Sequence, residues 1–586
     1  MTINRLTSQA LVPDTATFES RFDEMDAVAD GALDFEALQP RLYDGLTQLC
    51  APRPLNDFML VKADEETPLL ELIAGVAKAL LPEQSGLAGG HYLIEDHHVT
   101  LAPPDNAPGD FAVRRDVVVA AWAEAAELFG CVRQFAGKIT LEPGLVHKAN
   151  GGILVVALKT LLMQPLLWMR LKQMVIAKRF DWLAPDESRP LPVSVPSLPL
   201  SLRVVLVGDR ESLADFQEME PVLAQQAIYS EYEDDLQIAD DEEDVTLWCS
   251  WVCALAQQHQ LPAPASDAWP LLIREAVRYT GDQETLPLDP LWMARQLGEV
   301  AALCDEPRFT AAQFAQMLAR RAWREGYLAE RMQDEILLGQ LLVETEGERI
   351  GQINALSVVE FPGHPRAFGE PSRISCVVHI GDGEFTDIER KAELGGNIHA
   401  KGMMIMQAFL MAELDLEQQM PFSASLTFEQ SYSEVDGDSA SMAELCALIS
   451  ALANAPLNQQ IAITGSVDQF GRAQPVGGLN EKIEGFFTVC QARGLTGKQG
   501  VIIPAANVRH LSLCQEILDA VDQGQFSIWA IDDVTDALPL LTTLPWDGEG
   551  QTTLLGVIGE RIAQATQQDI RQRPWPLRWM NWFNHN

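Results

Sequence analysis

Two kinds of apolar spacing divide this chain. Up to about residue 335 long apolar runs and helical spacings dominate, whereas after about 340 short stretches alternate apolar and polar positions. AVADGALDFEALQPRLYDGLTQL and PLLELIAGVAKALL repeat apolar residues at three and four, which predicts a mainly helical N-terminal region over 1–90. From 91 to 335 strand and helix patterns alternate. LRVVLVGD (202–209) is a continuous apolar run, as in a strand buried on both faces of a sheet, and the proline-rich RPLPVSVPSLPLSL (189–202) leads into it as an extended connector. GILVVALKTLLMQPLLWM (152–169) is interrupted by Lys159, Gln164 and Pro165, which predicts a buried strand followed by a helix and not a membrane span. LPLDPLWMARQLGEVAALC and TAAQFAQMLARRAWREGYLAERM then predict two amphipathic helices that close the region.

Beyond 340, SRISCVVHI (372–380) puts Ile374, Cys376, Val378 and Ile380 on one face, and SASLTF (423–428) and FSIWAI (526–531) alternate in the same way. Helical patterns fall at 396–414, 441–454, 481–493 and 507–522. The fold class expected is therefore α/β and multidomain, with a second α/β domain over 340–545 and a separate tail over 546–586.

Charge narrows the partners. The net charge of −41 makes a surface that repels phosphate backbones and anionic lipid, so nucleic acid is not expected as a partner. The acidic stretch EYEDDLQIADDEED (231–244) lacks the order of a calcium loop and is read as a solvated face. The cysteines show no Cys-x-x-Cys pair and the histidines no His-Glu-x-x-His array, so no disulfide framework and no metal site are expected. The N-terminus lacks the basic-then-apolar profile of a secretory signal, which points to the cytoplasm. RQRPWPLRWMNWF (571–583) is either a terminal segment docking its tryptophans on the body or an anchor for a partner or membrane interface.

Two stretches carry candidate chemistry. In EVDGDSAS (434–441), Ser441 and Glu444 fit a capping box for the helix that follows. Ser439, left over on the Asp-Gly-Asp turn, has the position of a nucleophile whose oxyanion could be met by free N–H groups at the helix start. An ordinary turn serine, or a loop whose Asp436 and Asp438 bind a cation, fits the same residues. In PVGGLNEKIEGFF (475–487), Asn480 is the expected N-cap and Gly494 the expected stop. Lys482 falls in the first turn, where the helix dipole and burial both favour the neutral amine, the form that can act as a general base.

DGDSAS (436–441) and GGLNEK (477–482) together resemble the proteolytic domain of Lon-type serine–lysine peptidases, the S16 family, in its archaeal-like branch. The resemblance spans roughly 340–545 and includes GQINALSV (351–358), FGEPSRIS (368–375), IERKAELGGNIHAKG (388–402), FEQSYSEVDGDSAS (428–441), ITGSVDQFG (463–471) and RGLTGKQGVIIP (493–504). It implies that Ser439 is the nucleophile and Lys482 its general base, acting by acyl transfer and hydrolysis on unfolded protein substrates. It further implies supporting roles for Asp436 and Thr464, and a homo-oligomer in the form of a hexameric ring. A Ser-His arrangement through His399 is the runner-up mechanism.

Residues 91–335 resemble the AAA+ motor that precedes the peptidase in such proteins, in degenerate form. Where the family carries adjacent acids at the end of the Walker B strand, this chain has Ala157 and Leu158. Neither Gly137-Lys138 nor Gly497-Lys498 has the upstream glycine or following hydroxyl of a phosphate loop. The expectation is a serine endopeptidase with no cofactor and no productive ATP hydrolysis of its own. The alternatives are an ATP-dependent Lon-like protease with an unrecognised nucleotide site, and a non-catalytic scaffold or chaperone-like protein.

Overall fold

The computed structural model describes residues 4–572, apart from 28–32, 83–85, 96–97, 185–189, 239–241, 416–419 and 432–436. The chain's first strand, β1 (Asn4–Arg5), pairs with one that closes the second domain, described below. The first sheet is built from β2 (Phe58–Lys62), β3 (Val117–Ala120), β4 (Ile153–Ala157), β5 (Arg203–Gly208) and β6 (Ile228–Glu231). Its order is β6-β2-β5-β4-β3 with every pairing parallel. The apolar runs of β4 and β5 are buried on both faces, as their sequences predict.

The helix α1 (Thr67–Leu80) follows β2 after only a short acidic loop. A helical layer then forms from α2 (Glu242–His259), α3 (Trp269–Thr280), α4 (Pro290–Ala301), α5 (Ala311–Glu325) and α6 (Tyr327–Leu337). Trp248, Trp251 and Trp269 pack in its core, where α1 and one face of β2 join them. The expectation of a mainly helical region over 1–90 therefore misses β2, an internal strand of this sheet, whose five-residue apolar run is too short for periodicity to separate strand from helix.

The second domain contains β7 (Gln352–Val359), β8 (Phe368–Ile380), β9 (Phe385–Asp387), α7 (Asn397–Leu414), β10 (Phe422–Glu429), α8 (Ser441–Ala453), β11 (Ile461–Ile463), α9 (Leu479–Arg493), β12 (Gln499–Pro504), α10 (Gln515–Asp522), β13 (Phe526–Ile531) and α11 (Leu554–Gln572). Its mixed sheet runs β1-β13-β12-β11-β7-β8-β10-β9. Successive residues of β12 face opposite cores, Ile502 towards α7, α8 and α11, and Val501 and Ile503 towards α9 and α10. Every residue of α8 is buried, so this helix is the centre of the domain and not a surface helix with one apolar face.

The first and last described segments both belong to this domain. Leu6 N–H donates to Ile528 O, Leu513 N–H donates to Leu11 O, and Leu6, Leu11 and Val12 pack on the face shared by α9 and α10. At the other end, α11 buries Leu554 and Ile558 against α8, and Arg561 donates to the carbonyls of Ala451 and Leu452, the last turn of α8. The stretch expected as a separate tail from 546 thus begins as part of the core, and residues from 573 on, with the tryptophans of 571–583, lie outside the described residues. Leu11→Ala is expected to cost about 2–4 kcal/mol. Hydrogen exchange of the β12 and β13 amides should then accelerate at least about tenfold. Unchanged exchange there would show that the first dozen residues contribute nothing to this sheet.

Candidate active site

Ser439 stands on a tight turn just before α8, partly exposed like Asp438 before it, while Ala440 after it is buried. Its carbonyl accepts from Gly465 N–H at 2.9 Å and from Thr464 Oγ1 at 3.4 Å. Asp438, one residue earlier, accepts from Ser441 N–H at its carbonyl (3.0 Å) and from Ser466 Oγ at Oδ2 (3.0 Å). Gly402 of α7 lies under this turn, and a Cβ there would sit 3.1 Å from that of Asp438. The turn is therefore fixed from β11's outgoing loop on one side and from α7 on the other. Thr464 is fully buried beside it, and Asp436 lies outside the described residues.

The helix N-terminus is organised differently from the expectation. Ala440 occupies the N-cap with no side-chain bond, and Ser441 Oγ instead accepts from Val467 N–H at 3.1 Å, so no capping box forms. With α8 enclosed on all sides, its first polar side chain serves a neighbouring strand that water cannot reach. The N–H groups of Ser441 and Met442 are occupied by Asp438 O and Gly465 O, so those two amides are not free to meet an oxyanion.

Lys482 comes from α9. That helix starts two residues earlier than Asn480 suggests: Gly478, at φ +65°, is the N-cap, and a Cβ there would lie 2.3 Å from Val358 Cγ2. Asn480 is instead buried, donating to His510 O (3.1 Å) and accepting from Ser512 N–H (2.8 Å). Gly494 ends the helix as expected. β8 crosses α9 backbone against backbone at this point, since a Cβ on Gly369 would lie 1.9 Å from Glu481 O and one on Gly485 2.3 Å from Gly369 O.

This crossing helps to leave Lys482 only 4% exposed. Burial lowers its amine to a pKa of about 8, partly offset by the charge of Asp438. Among the described residues no carboxylate forms an ion pair with it. The structure thus holds Ser439, Asp438 and Thr464 together at one turn, and the charge of Asp438 acts on the Lys482 amine. Asp438 enters the sequence reading only as a possible cation ligand, because an aspartate beside glycine in a turn carries no distinguishing pattern, and Ser466 is not singled out.

His399, on α7, is 1% exposed and its Nε2 faces two carboxylates, Asp387 Oδ2 at 3.2 Å and Glu444 Oε1 at 3.8 Å. Burial pushes Glu444 up to about 7 despite the imidazole. Glu389 completes this buried cluster, accepting from Thr427 Oγ1 and Phe428 N–H. His399 is engaged in an acidic cluster beneath α8, and no hydrogen bond joins it to the serine turn among the described residues.

Comparison with known proteins matches both regions of the chain to one family. Residues 114–226 match the model of a LonB-like AAA domain, and residues 431–542 that of the Lon protease (S16) C-terminal proteolytic domain. A protein of Escherichia coli strain K12, named provisionally as a Lon protease homolog, is 68% identical over 100% of both chains. A Haemophilus influenzae protein of the same provisional name is 42% identical over 87% of this chain and 86% of its own. An archaeal Lon protease of Archaeoglobus fulgidus is more distant, 26% identical over 80% of this chain and 73% of its own. With its full length matched at this level, and with an AAA-like α/β region followed by the S16 proteolytic fold, the chain belongs to the Lon protease family.

Proposed function

We propose that this protein is a serine endopeptidase of unfolded polypeptides that works through Ser439 and Lys482 without productive ATP hydrolysis of its own. The observation that carries this reading is the buried amine of Lys482, which no carboxylate among the described residues pairs and which feels the charge of Asp438 on the serine turn. Its neutral form accepts the proton of Ser439 Oγ as that oxygen attacks the peptide carbonyl. The ammonium then returns the proton to the leaving amine, which leaves an acyl-enzyme. Water, deprotonated by the same amine, releases the peptide acid and restores the serine. Thr464 and Asp438 support this cycle by holding the turn, and Asp438 limits how far the amine's pKa falls.

The nucleotide half of the proposal rests on the crevice beyond the carboxyl ends of β2, β4 and β5, where ligands of such sheets bind. The β2–α1 connection, where a phosphate loop would lie, reads Ala63-Asp64-Glu65-Glu66. Glu65 Oε2 accepts from Lys159 N–H at 2.7 Å, at the start of the short helix Leu158–Leu162 that follows β4. Burial, together with Asp234, Asp289 and Asp209, pushes the Asp64 carboxyl up. A crevice lined with carboxylates and lacking a glycine cradle repels a triphosphate, so the phosphates of ATP do not fit the residues present.

By resemblance to its family the assembly is a homo-oligomeric ring. Among the described residues no helix is long and apolar enough to cross a membrane.

Degradation of an unfolded protein should proceed equally with and without Mg-ATP, and Ser439→Ala and Lys482→Ala should each lower it at least roughly 10³-fold. Cleavage that requires ATP would contradict the nucleotide half, and full activity in either variant would contradict the dyad. With an amine pKa of about 8, kcat/KM should rise about tenfold from pH 6 to 7 and level off above about 9. A flat profile across that range would contradict a lysine base.

A further inference from the structure

The helix that carries Lys482 is gripped from outside its own domain. Arg278, near the end of α3, donates through Nη1 and Nη2 to both carboxylate oxygens of Glu484, each at 2.6 Å, and through Nη2 to Glu481 Oε1 at 3.1 Å. Glu481 precedes Lys482, and Glu484 lies two residues after it. The three side chains are only 21%, 19% and 23% exposed for Arg278, Glu484 and Glu481, so water screens them little. Burial opposes both charges of the Arg278–Glu484 pair, yet their mutual attraction holds the guanidinium above and the carboxyl below their ordinary values.

Two-pronged arginine–carboxylate bonds fix direction as well as distance. Other contacts run from the same part of the helical layer to the same part of the second domain. Ser512 Oγ donates to Arg274 O at 2.7 Å, and Gln283 Nε2 to Leu511 O at 2.7 Å. Ser512 and Cys514 in turn donate from their backbones to Asn480 and Glu484 of α9. Beside the ion pairs the two regions part around a cavity of about 610 Å³, bounded by Trp323, Arg366 and Phe368 among others. Ile336 of α6 packs on Val489 of α9 and Arg493 donates to Ile336 O, so the ion pairs at the first turn of α9 add direction to a contact that is apolar further along the helix. On its other flank α9 is already fixed by the Gly369–Gly485 crossing.

We propose that Arg278 is a positioning residue for Lys482: by gripping Glu481 and Glu484 it sets where the first turn of α9 presents the amine and neutralises the two carboxylates beside it. The helical layer thereby controls the competence of the dyad with no nucleotide involved. This inference rests on the Ser439–Lys482 reading. The charged groups described around this turn are Arg278 and Glu275 from α3, Glu325 from α5, Glu330 from α6, Arg366 just before β8 and Glu370 within it, Asp438 from the serine turn, Glu516 from α10, and Glu481 and Glu484 on α9 itself. Releasing Arg278 leaves the two helix carboxylates unopposed, which favours the ammonium of Lys482 and raises the pH at which it loses its proton.

The test measures, on the full chain, the rate at which a fluorophosphonate probe labels serine, and the pH profile of cleavage of a fluorogenic peptide. In Arg278→Ala, labelling should slow at least about tenfold, with kcat falling and KM little changed. The midpoint of the pH profile should move upward by about half a unit or more. Arg278→Lys, which keeps the charge and loses the fork, should keep the wild-type midpoint with reduced kcat. Arg278→Ala combined with Glu481→Gln and Glu484→Gln should bring the midpoint back while kcat stays low, and these two variants carry the test if Arg278→Ala alone does not fold. Wild-type rates and an unshifted midpoint in Arg278→Ala, with labelling still abolished by Ser439→Ala, would overturn this inference alone. Labelling that survives Ser439→Ala and Lys482→Ala would overturn the dyad and this inference with it.

Discussion

The structure of the site depends on one constraint, the removal of a lysine amine from water. Lys482 is enclosed because β8 passes over α9 with no side chain between the two backbones, at Gly369 and Gly485. An ammonium in that place would need a carboxylate partner at hydrogen-bond distance, and the described residues supply only the more remote charge of Asp438. Burial therefore makes the amine easier to deprotonate, with a pKa of about 8, and its neutral form is the base that the proposed mechanism requires. Much of the surrounding design follows from that: the enclosed central helix α8, the glycine floor at Gly402, and the pairing of Thr464 and Gly465 with the serine carbonyl keep the turn where the amine is.

The same chain carries a parallel sheet whose ligand crevice has been given the opposite electrostatic character from a nucleotide site. Asp64, Glu65 and Glu66 occupy the β2–α1 connection, and Ala157 and Leu158 end the strand at which acids would hold a metal ion. What remains of the region is a packed sheet and a helical layer with a large tryptophan core, joined to the second domain by ion pairs and hydrogen bonds around α3 and α9. Its contribution is mechanical and electrostatic, delivered at the two acids that flank Lys482.

Much of this was legible in the residues, for identifiable reasons. Strands β4, β5, β8, β10 and β13 announced themselves because burial on two faces, or strict alternation, leaves a plain apolar record. Ser439 and Lys482 each drew attention at the start of a strongly patterned helix, and the resemblance to Lon-type peptidases is what joins them as a candidate pair. What escaped shares one cause, that long-range contacts overrode local signals. Ser441 looked like a capping residue and serves a strand from another segment; Asn480 looked like a cap and binds the 510–512 loop. β2 lay inside a region read as helical, and the first dozen residues joined a sheet whose other strands begin some 340 positions later. The Arg278 contacts to Glu481 and Glu484 join residues about 200 positions apart and leave no local pattern at all.

The central claim is best tested on the amine itself. Lysine labelled with ¹³C at Cε, in Ser439→Ala protein and with Lys482→Arg to assign the signal, reports the protonation of this one side chain by NMR. The account predicts a titration midpoint near 8. A midpoint at the ordinary lysine value, near 10.5, would mean that Lys482 stays an ammonium throughout the working range, and no serine–lysine chemistry could then be assigned to this site.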